Sequence, residues 1–188
     1  MACALTKGRN EPCKDVVGGI TAVYFADFGT LGAITYDGTD TDVIDSFGGT
    51  PDWFKFEVKG NSSFEQTITS SRENGTTFYD QVLNLTFKKM TKQTHNELKL
   101  LAYARPHVVV EDNNGNKFLM GLDYGADVNG GTIATGAAMG DMSGYTLTFN
   151  GQEKIPANFV DATITAERLP KRDEQGKYNH YIPFGFYN

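Results

Sequence analysis

Hydrophobic positions along this chain alternate far more often than they recur at helical spacing. Tyr145-Thr146-Leu147-Thr148-Phe149 sets two aromatic residues and a leucine on one face and two threonines on the other, which predicts a half-buried strand. The same period of two runs through residues 53–59, where Phe54, Phe56 and Val58 oppose Lys55, Glu57 and Lys59. It recurs at Leu83, Leu85 and Phe87 within residues 78–90, a long strand for a small domain. Further strands are predicted at 20–28, 31–36, 64–71, 107–111, 117–122, 132–135 and 162–168. Arg72-Glu73-Asn74-Gly75 and Asn113-Asn114-Gly115-Asn116 supply the turns of two hairpins. Asn150-Gly151 and Pro156 punctuate the chain after the 145–149 strand.

Two segments break this pattern. Residues 37–52 hold Gly38, Asp40, Asp42, Asp45, Gly48, Gly49 and Pro51 around a short apolar insert at Val43-Ile44. That composition predicts a long surface loop, and a loop of this length is a candidate contact element. The second is a single helix over about 94–104. Thr94 with Glu97 three residues later makes a capping box, Leu98, Leu101, Ala102 and Tyr103 form the apolar side, and Pro106 ends it. The expected fold class is therefore all-β, a sandwich or barrel with one flanking helix, over residues 19–168. Residues 1–18 form a polar N-terminal arm. Residues 169–188 form a C-terminal arm that is charged first and then aromatic (Tyr178, Tyr181, Phe184, Phe186, Tyr187), with more aromatic surface than water favours.

Composition narrows the function. A net charge of −6 with scattered basic residues argues against tight binding to nucleic acid, which needs clustered Lys and Arg. Residues 1–18 contain Lys7, Arg9, Glu11 and Lys14 and no apolar core, so neither a signal peptide nor a membrane span is expected. Cys3 and Cys13 could close a short disulfide loop, but two cysteines make no framework, and reduced structural thiols are the expectation. His95, His107 and His180 share no ligand spacing.

No catalytic motif emerges. G-x-S-x-G, H-E-x-x-H, the dinucleotide glycine pattern and the P-loop are all absent; Ser143 stands directly before Gly144, in the wrong frame. Asp37, Asp40, Asp42, Asp45, Asp123, Asp127 and Asp141 supply carboxylates enough for a glycosidase pair, yet in a turn-rich chain they read as turn caps. The Asp37–Asp45 cluster lacks the EF-hand spacing with its terminal Glu, so a solvated acidic loop is expected over a Ca²⁺ site. The sequons at Asn61, Asn74 and Asn84 carry no meaning without secretion. Accordingly no catalytic, cofactor-binding or metal-binding residue is assigned, and no enzyme activity is expected.

Met139-Gly140-Asp141-Met142-Ser143-Gly144-Tyr145-Thr146-Leu147-Thr148-Phe149, followed by Gly151-Gln152-Glu153-Lys154 and Pro156-Ala157-Asn158-Phe159, resembles the C-terminal part of bacteriophage tail-tube (major tail) proteins. The likeness extends from Leu5-Thr6-Lys7-Gly8-Arg9 to about Val160. It implies a tail-tube β-sandwich or barrel whose copies close into rings, expected to be hexameric, that stack into the tube through which DNA passes. The implied partners are further copies of the chain, other tail components such as sheath, terminator or baseplate proteins, and passing DNA without tight binding; no membrane is implied. The implied location is the virion tail, after synthesis in the host bacterial cytoplasm. Two alternatives stand beside it. One is another phage structural protein, such as a neck, tail-terminator or head-decoration protein; the other is a glycan- or host-binding β-sandwich.

Overall fold

The structure, a computed structural model, describes residues 8–11, 13–58 and 60–168 of the chain. Cys3, His180 and the C-terminal arm lie outside the described residues. The chain order is β1 (Ile20–Ala26), β2 (Ile34–Tyr36), β3 (Val43–Phe47), β4 (Trp53–Glu57), β5 (Ser63–Ser71), β6 (Thr76–Lys88), α1 (Lys92–Leu101), β7 (His107–Asp112), β8 (Lys117–Met120), β9 (Asp127–Ala134), β10 (Gly144–Glu153), β11 (Asn158–Val160) and β12 (Ala166–Arg168). All-β with one helix holds. The strands form two sheets, one of eight strands in the order β12-β4-β1-β7-β8-β11-β3-β2 and one of four in the order β5-β6-β10-β9.

The alternating runs explain the layers. Leu83, Leu85 and Phe87 of β6, with Tyr145 and Phe149 of β10, face Val23, Phe25, Val108, Val110 and Met120 of the large sheet across an apolar core. Phe25 lies 5.3 Å from both Phe56 and Phe149, so its ring joins the two sheets. The opposite face of the large sheet is buried too: Tyr24, Trp53, Val109 and Leu119 pack with Leu31, Ile44 and Val160 in a second core. Because successive side chains alternate, β1 supplies residues to both cores, and a bulge between Ile20 and Ala22 switches its phase.

The large sheet rolls on itself. β3 and β4 stand five places apart in strand order, about 24 Å if the sheet were flat. Yet Phe47 of β3 and Trp53 of β4 have ring centroids 5.7 Å apart. No ladder joins the two ends of the roll among the described residues, so the molecule is an open sandwich and not a closed barrel.

Several sequence expectations need correction. Residues 37–52 are not one surface loop. β3 occupies Val43–Phe47, pairing with β2 and, in parallel, with β11, and Ile44 is fully buried. The apolar pair Val43-Ile44 was the visible trace of a strand with one neighbour just upstream, β2, and the other, β11, more than a hundred residues downstream. The strand at 145–149 does not stop at Asn150-Gly151: β10 continues to Glu153. A Cβ on Gly151 would come within 3.1 Å of Gly125 O, so glycine there permits close packing instead of a turn. The strand expected at 31–36 shortens to Ile34–Tyr36, that at 162–168 to Ala166–Arg168, and β11 was not foreseen.

The helix begins earlier than predicted. Thr91, not Thr94, is the N-cap: its hydroxyl accepts from Thr94 N at 3.1 Å and donates to Thr94 Oγ1 at 2.8 Å. Leu98 is buried and Leu101 packs on the core, but Tyr103 lies beyond the helix and is 86% exposed. Thr91→Ala should therefore lower stability by about 1 kcal/mol, and Thr94→Ala by less, as read by urea denaturation.

Of the N-terminal arm, residues 8–11 and 13–18 are described without helix or strand. Its inner end is tied to the β7–β8 turn. Val17 N donates to Asn114 Oδ1 (2.9 Å), while Asn114 Nδ2 donates to Val17 O (2.8 Å). Asp112 organises that turn. Burial would raise its pKa, but hydrogen bonds from Asn116 and Asn114 outweigh this and hold the carboxyl below its usual range.

Candidate functional site

Three features of the surface and near-surface stand out, all built around the four-stranded sheet. The first is its open margins. β5 has the exposure pattern of a strand bare on both faces for most of its length, and β9 likewise. They are the two outer strands of the sheet, so each leaves one row of backbone N–H and C=O groups without a ladder partner among the described residues. The β5–β6 hairpin also outruns the core. Burial on β6 starts only at Gln81, five residues after its turn, and Ile68 on β5 is 63% exposed.

The second feature is the sheet face turned away from the core. By register it carries Ser63, Asn84 and Thr148 on neighbouring strands, then Thr146 beside Thr132. Their side chains bond across the ladders: Thr148 Oγ1 donates to Asn84 Oδ1 (2.9 Å), and the Thr132 and Thr146 hydroxyls lie 2.6 Å apart. Glu65, Asp80, Asp127 and Lys88 are the charged side chains that the register places on this face. It is a hydroxyl- and amide-rich surface of low charge.

The third is a buried polar latch between the sheets. The turn from β8 to β9, residues 121–126, is gripped by three buried polar side chains: Gln81, His107 and Glu153. Gly121 N donates to Gln81 Oε1 (3.0 Å), and Gly121 O lies 2.6 Å from His107 Nδ1. Gly29 N donates to His107 Nε2 at 3.0 Å, so Nε2 is the acceptor and Nδ1 carries the proton that goes to Gly121 O. Glu153 Oε1 accepts from both Asp123 N (3.0 Å) and Tyr124 N (2.9 Å). Gly121 has φ +72°, and a Cβ there would lie 2.5 Å from Gly125 C, so only glycine fits the crossing.

Electrostatics follow from burial. Desolvation lowers the His107 pKa, Arg105 adds to that, and the bond to Gly121 only partly opposes it. Phe28 stacks on the ring at 4.9 Å, and the Arg105 guanidinium sits 4.3 Å from the Phe28 centroid. Desolvation raises the Glu153 pKa against the two backbone donors, and its Oε2 is buried without a hydrogen-bond partner among the described residues. A cleft of about 450 Å³ opens beside it, walled by Arg105, Tyr124, Asp127 and Lys154.

The residues weighed from sequence scatter over this frame. His95 lines an apolar groove between α1 and β9, and His107 belongs to the latch. Asp141 caps the β9–β10 loop by accepting from Ala137 and Ala138 N–H groups, which lowers its pKa. Cys13 is exposed and free. Among the described residues no group of three or more His, Cys, Asp or Glu side chains is placed to hold a metal ion, and no helix is long and apolar enough to cross a membrane. Asn84 lies on the polar sheet face, Asp123 beside Glu153, and Asp127 at the start of β9. Gln81 and Glu153 went unassigned in the sequence. The available signal was phase: both fall on the apolar side of their strands, where a polar residue calls for a buried partner.

These features define a two-sheet β-sandwich with one helix, in which the outer strands of the four-stranded sheet have no ladder partner among the described residues. No protein-family model, no curated protein and no solved structure matches the chain.

Proposed function

We propose that this chain is a structural virion protein whose copies close into rings, expected to be hexameric, that stack into the tail tube of a bacteriophage. The observation that carries the reading is the four-stranded sheet with both outer strands, β5 and β9, exposed and unpaired among the described residues. Such edges are an aggregation hazard in a monomer and a joint in an assembly. The sequence resemblance around residues 139–159 points the same way.

Geometry is compatible with a conduit. Six copies supplying four strands each would make a barrel about 37 Å across between backbones even without strand tilt. The sheet face away from the core would then line the lumen. Its hydroxyl- and amide-rich, low-charge surface suits a passing polyanion, which clustered Lys and Arg would hold. The net charge of −6 agrees. Sheath, terminator or baseplate proteins would be the remaining partners, and no cofactor has a role.

Electron microscopy of the purified chain at micromolar concentration, with analytical ultracentrifugation, is the test. Stacked rings are the expected result. Single rings without stacking would favour a neck, terminator or decoration protein, and a strict monomer at high concentration would count decisively against the tube. Replacing the hairpin tip, residues 70–77, with a two-residue turn should leave the thermal midpoint near wild type, because the buried part of β6 begins later. Tube formation should be lost.

A further inference from the structure

We propose that Ile68 on the β5 margin of one copy seats in the apolar groove between α1 and β9 of a second copy. The proposal rests on the ring reading above and names the contact that closes the ring. The groove has a volume of about 460 Å³, with Leu98, Ala102 and Tyr103 on the helix side and Val128, Ile133 and Leu147 on the sheet side. It lies along the bare edge of β9, and Gly131 leaves its floor without a side chain.

Three observations choose a second copy as occupant. The first is strand direction. β5 pairs antiparallel with β6, β6 with β10, and β10 with β9. A neighbour's β5 placed beside β9 by ring rotation therefore continues an antiparallel sheet. The second is side-chain phase. Ile68 pairs with Tyr79, which pairs with Glu153, so Ile68 points to the core side of the sheet. Val128, Gly131 and Ile133 pair with Phe149, Leu147 and Tyr145, which puts them on that same side. Side chains on one face meet across a joined edge.

The third is register. Without stagger, β5 would overlap β9 only through Ser63, Phe64 and Glu65, which lie level with Gly130, Val128 and Asp127. A closed barrel requires strands tilted by about 35–45°, and across four strands that slides the edges by about 13–19 Å, or about four to six residues. Slid in the direction that lets both edges overlap, Ile68 comes opposite Val128 to Gly131, inside the groove. Ile68 is 63% exposed and Ile133 61%, so neither apolar surface is covered by the described residues. The groove carries little charge, with Lys99 and His95 at its lining, which matches an aliphatic knob.

A benzophenone amino acid placed at position 68 of the full chain tests the contact, with cross-links mapped by mass spectrometry. β5 and β9 flank opposite sides of the small sheet, about 14 Å apart across three strand spacings, so a link between them must join two copies. Links from position 68 to residues 98–103 or 128–133, in a species of dimer mass, are expected. Ile68→Lys should raise the concentration for half-assembly at least about tenfold while leaving monomer unfolding unchanged. If rings or tubes form but position 68 links elsewhere and Ile68→Lys still assembles, this joint is overturned and the tube reading stands. Links from the groove to residues 169–188, seen with the probe at position 133, would name the C-terminal arm as occupant and equally overturn it. A wild-type chain that stays monomeric would remove both.

Discussion

Phe149→Ala is expected to lower the unfolding free energy by about 3–5 kcal/mol, a large share of the roughly 5–15 kcal/mol that holds a domain folded. Phe149 is fully buried on β10 and contacts Phe25 of the facing sheet at 5.3 Å. Its loss opens a cavity within the core shared by the two sheets, and β-sheet backbones collapse poorly onto such a gap. Thr148→Ala, one residue away on the opposite face, removes only the hydroxyl bond to Asn84 and should cost about 1 kcal/mol or less. Urea denaturation of the two variants checks the contrast. Equal losses would mean that the face assignment of β10 is wrong.

His107→Ala has the second large effect. It strands Gly121 O and Gly29 N, each about 1–3 kcal/mol if left unpaired, and removes the ring stacked on Phe28. The same residue makes stability depend on pH. Its folded pKa lies below 6.5, so the unfolded chain takes up the proton first. Stability should therefore fall as pH drops below about 6.5 toward the folded value, because protonated Nε2 can no longer accept from Gly29 N. Glu153 acts in the opposite sense. Its folded pKa lies above 4.5, so stability contributed by the protonated form is lost as pH rises from 4.5 through the folded value. Urea midpoints measured from pH 4.5 to 8 should show a rise on the alkaline side of the His107 titration. Glu153→Gln should remove the opposing slope and leave the histidine one. A His107 ring that titrates at or above 6.5 by NMR would refute the assignment.

Strand phase was legible wherever one face of the strand is buried and the other wet. Tyr145, Leu147 and Phe149 on β10, and Leu83, Leu85 and Phe87 on β6, point to the core as their alternation demands. Both hairpin turns sit where Asn74-Gly75 and Asn114-Gly115 place them, since glycine at positive φ closes them locally. The helix existed where its apolar spacing lay, but its start was missed. Thr91 and Thr94 compete for the same cap, and only the path of the chain leaving β6 decides between them.

Polar candidates were the least legible. Gln81 and Glu153 look like interruptions of an apolar phase until the 121–126 turn arrives to use their oxygens. His107 carried no spacing signal, because its partners, Gly29 and Gly121, are backbone groups from distant parts of the chain.

By itself, then, the sequence determined the all-β class, the two hairpins, the single helix and the faces that β6 and β10 bury, because these depend on neighbours a few residues apart. Tertiary structure decided that residues 43–47 form a strand, that the large sheet rolls until Phe47 meets Trp53, and that β5 and β9 end as bare margins. Each of these depends on which distant segments pair. Hydrogen-bond ladders are blind to side-chain identity, so strand order is chosen by how both faces of the large sheet can be buried at once.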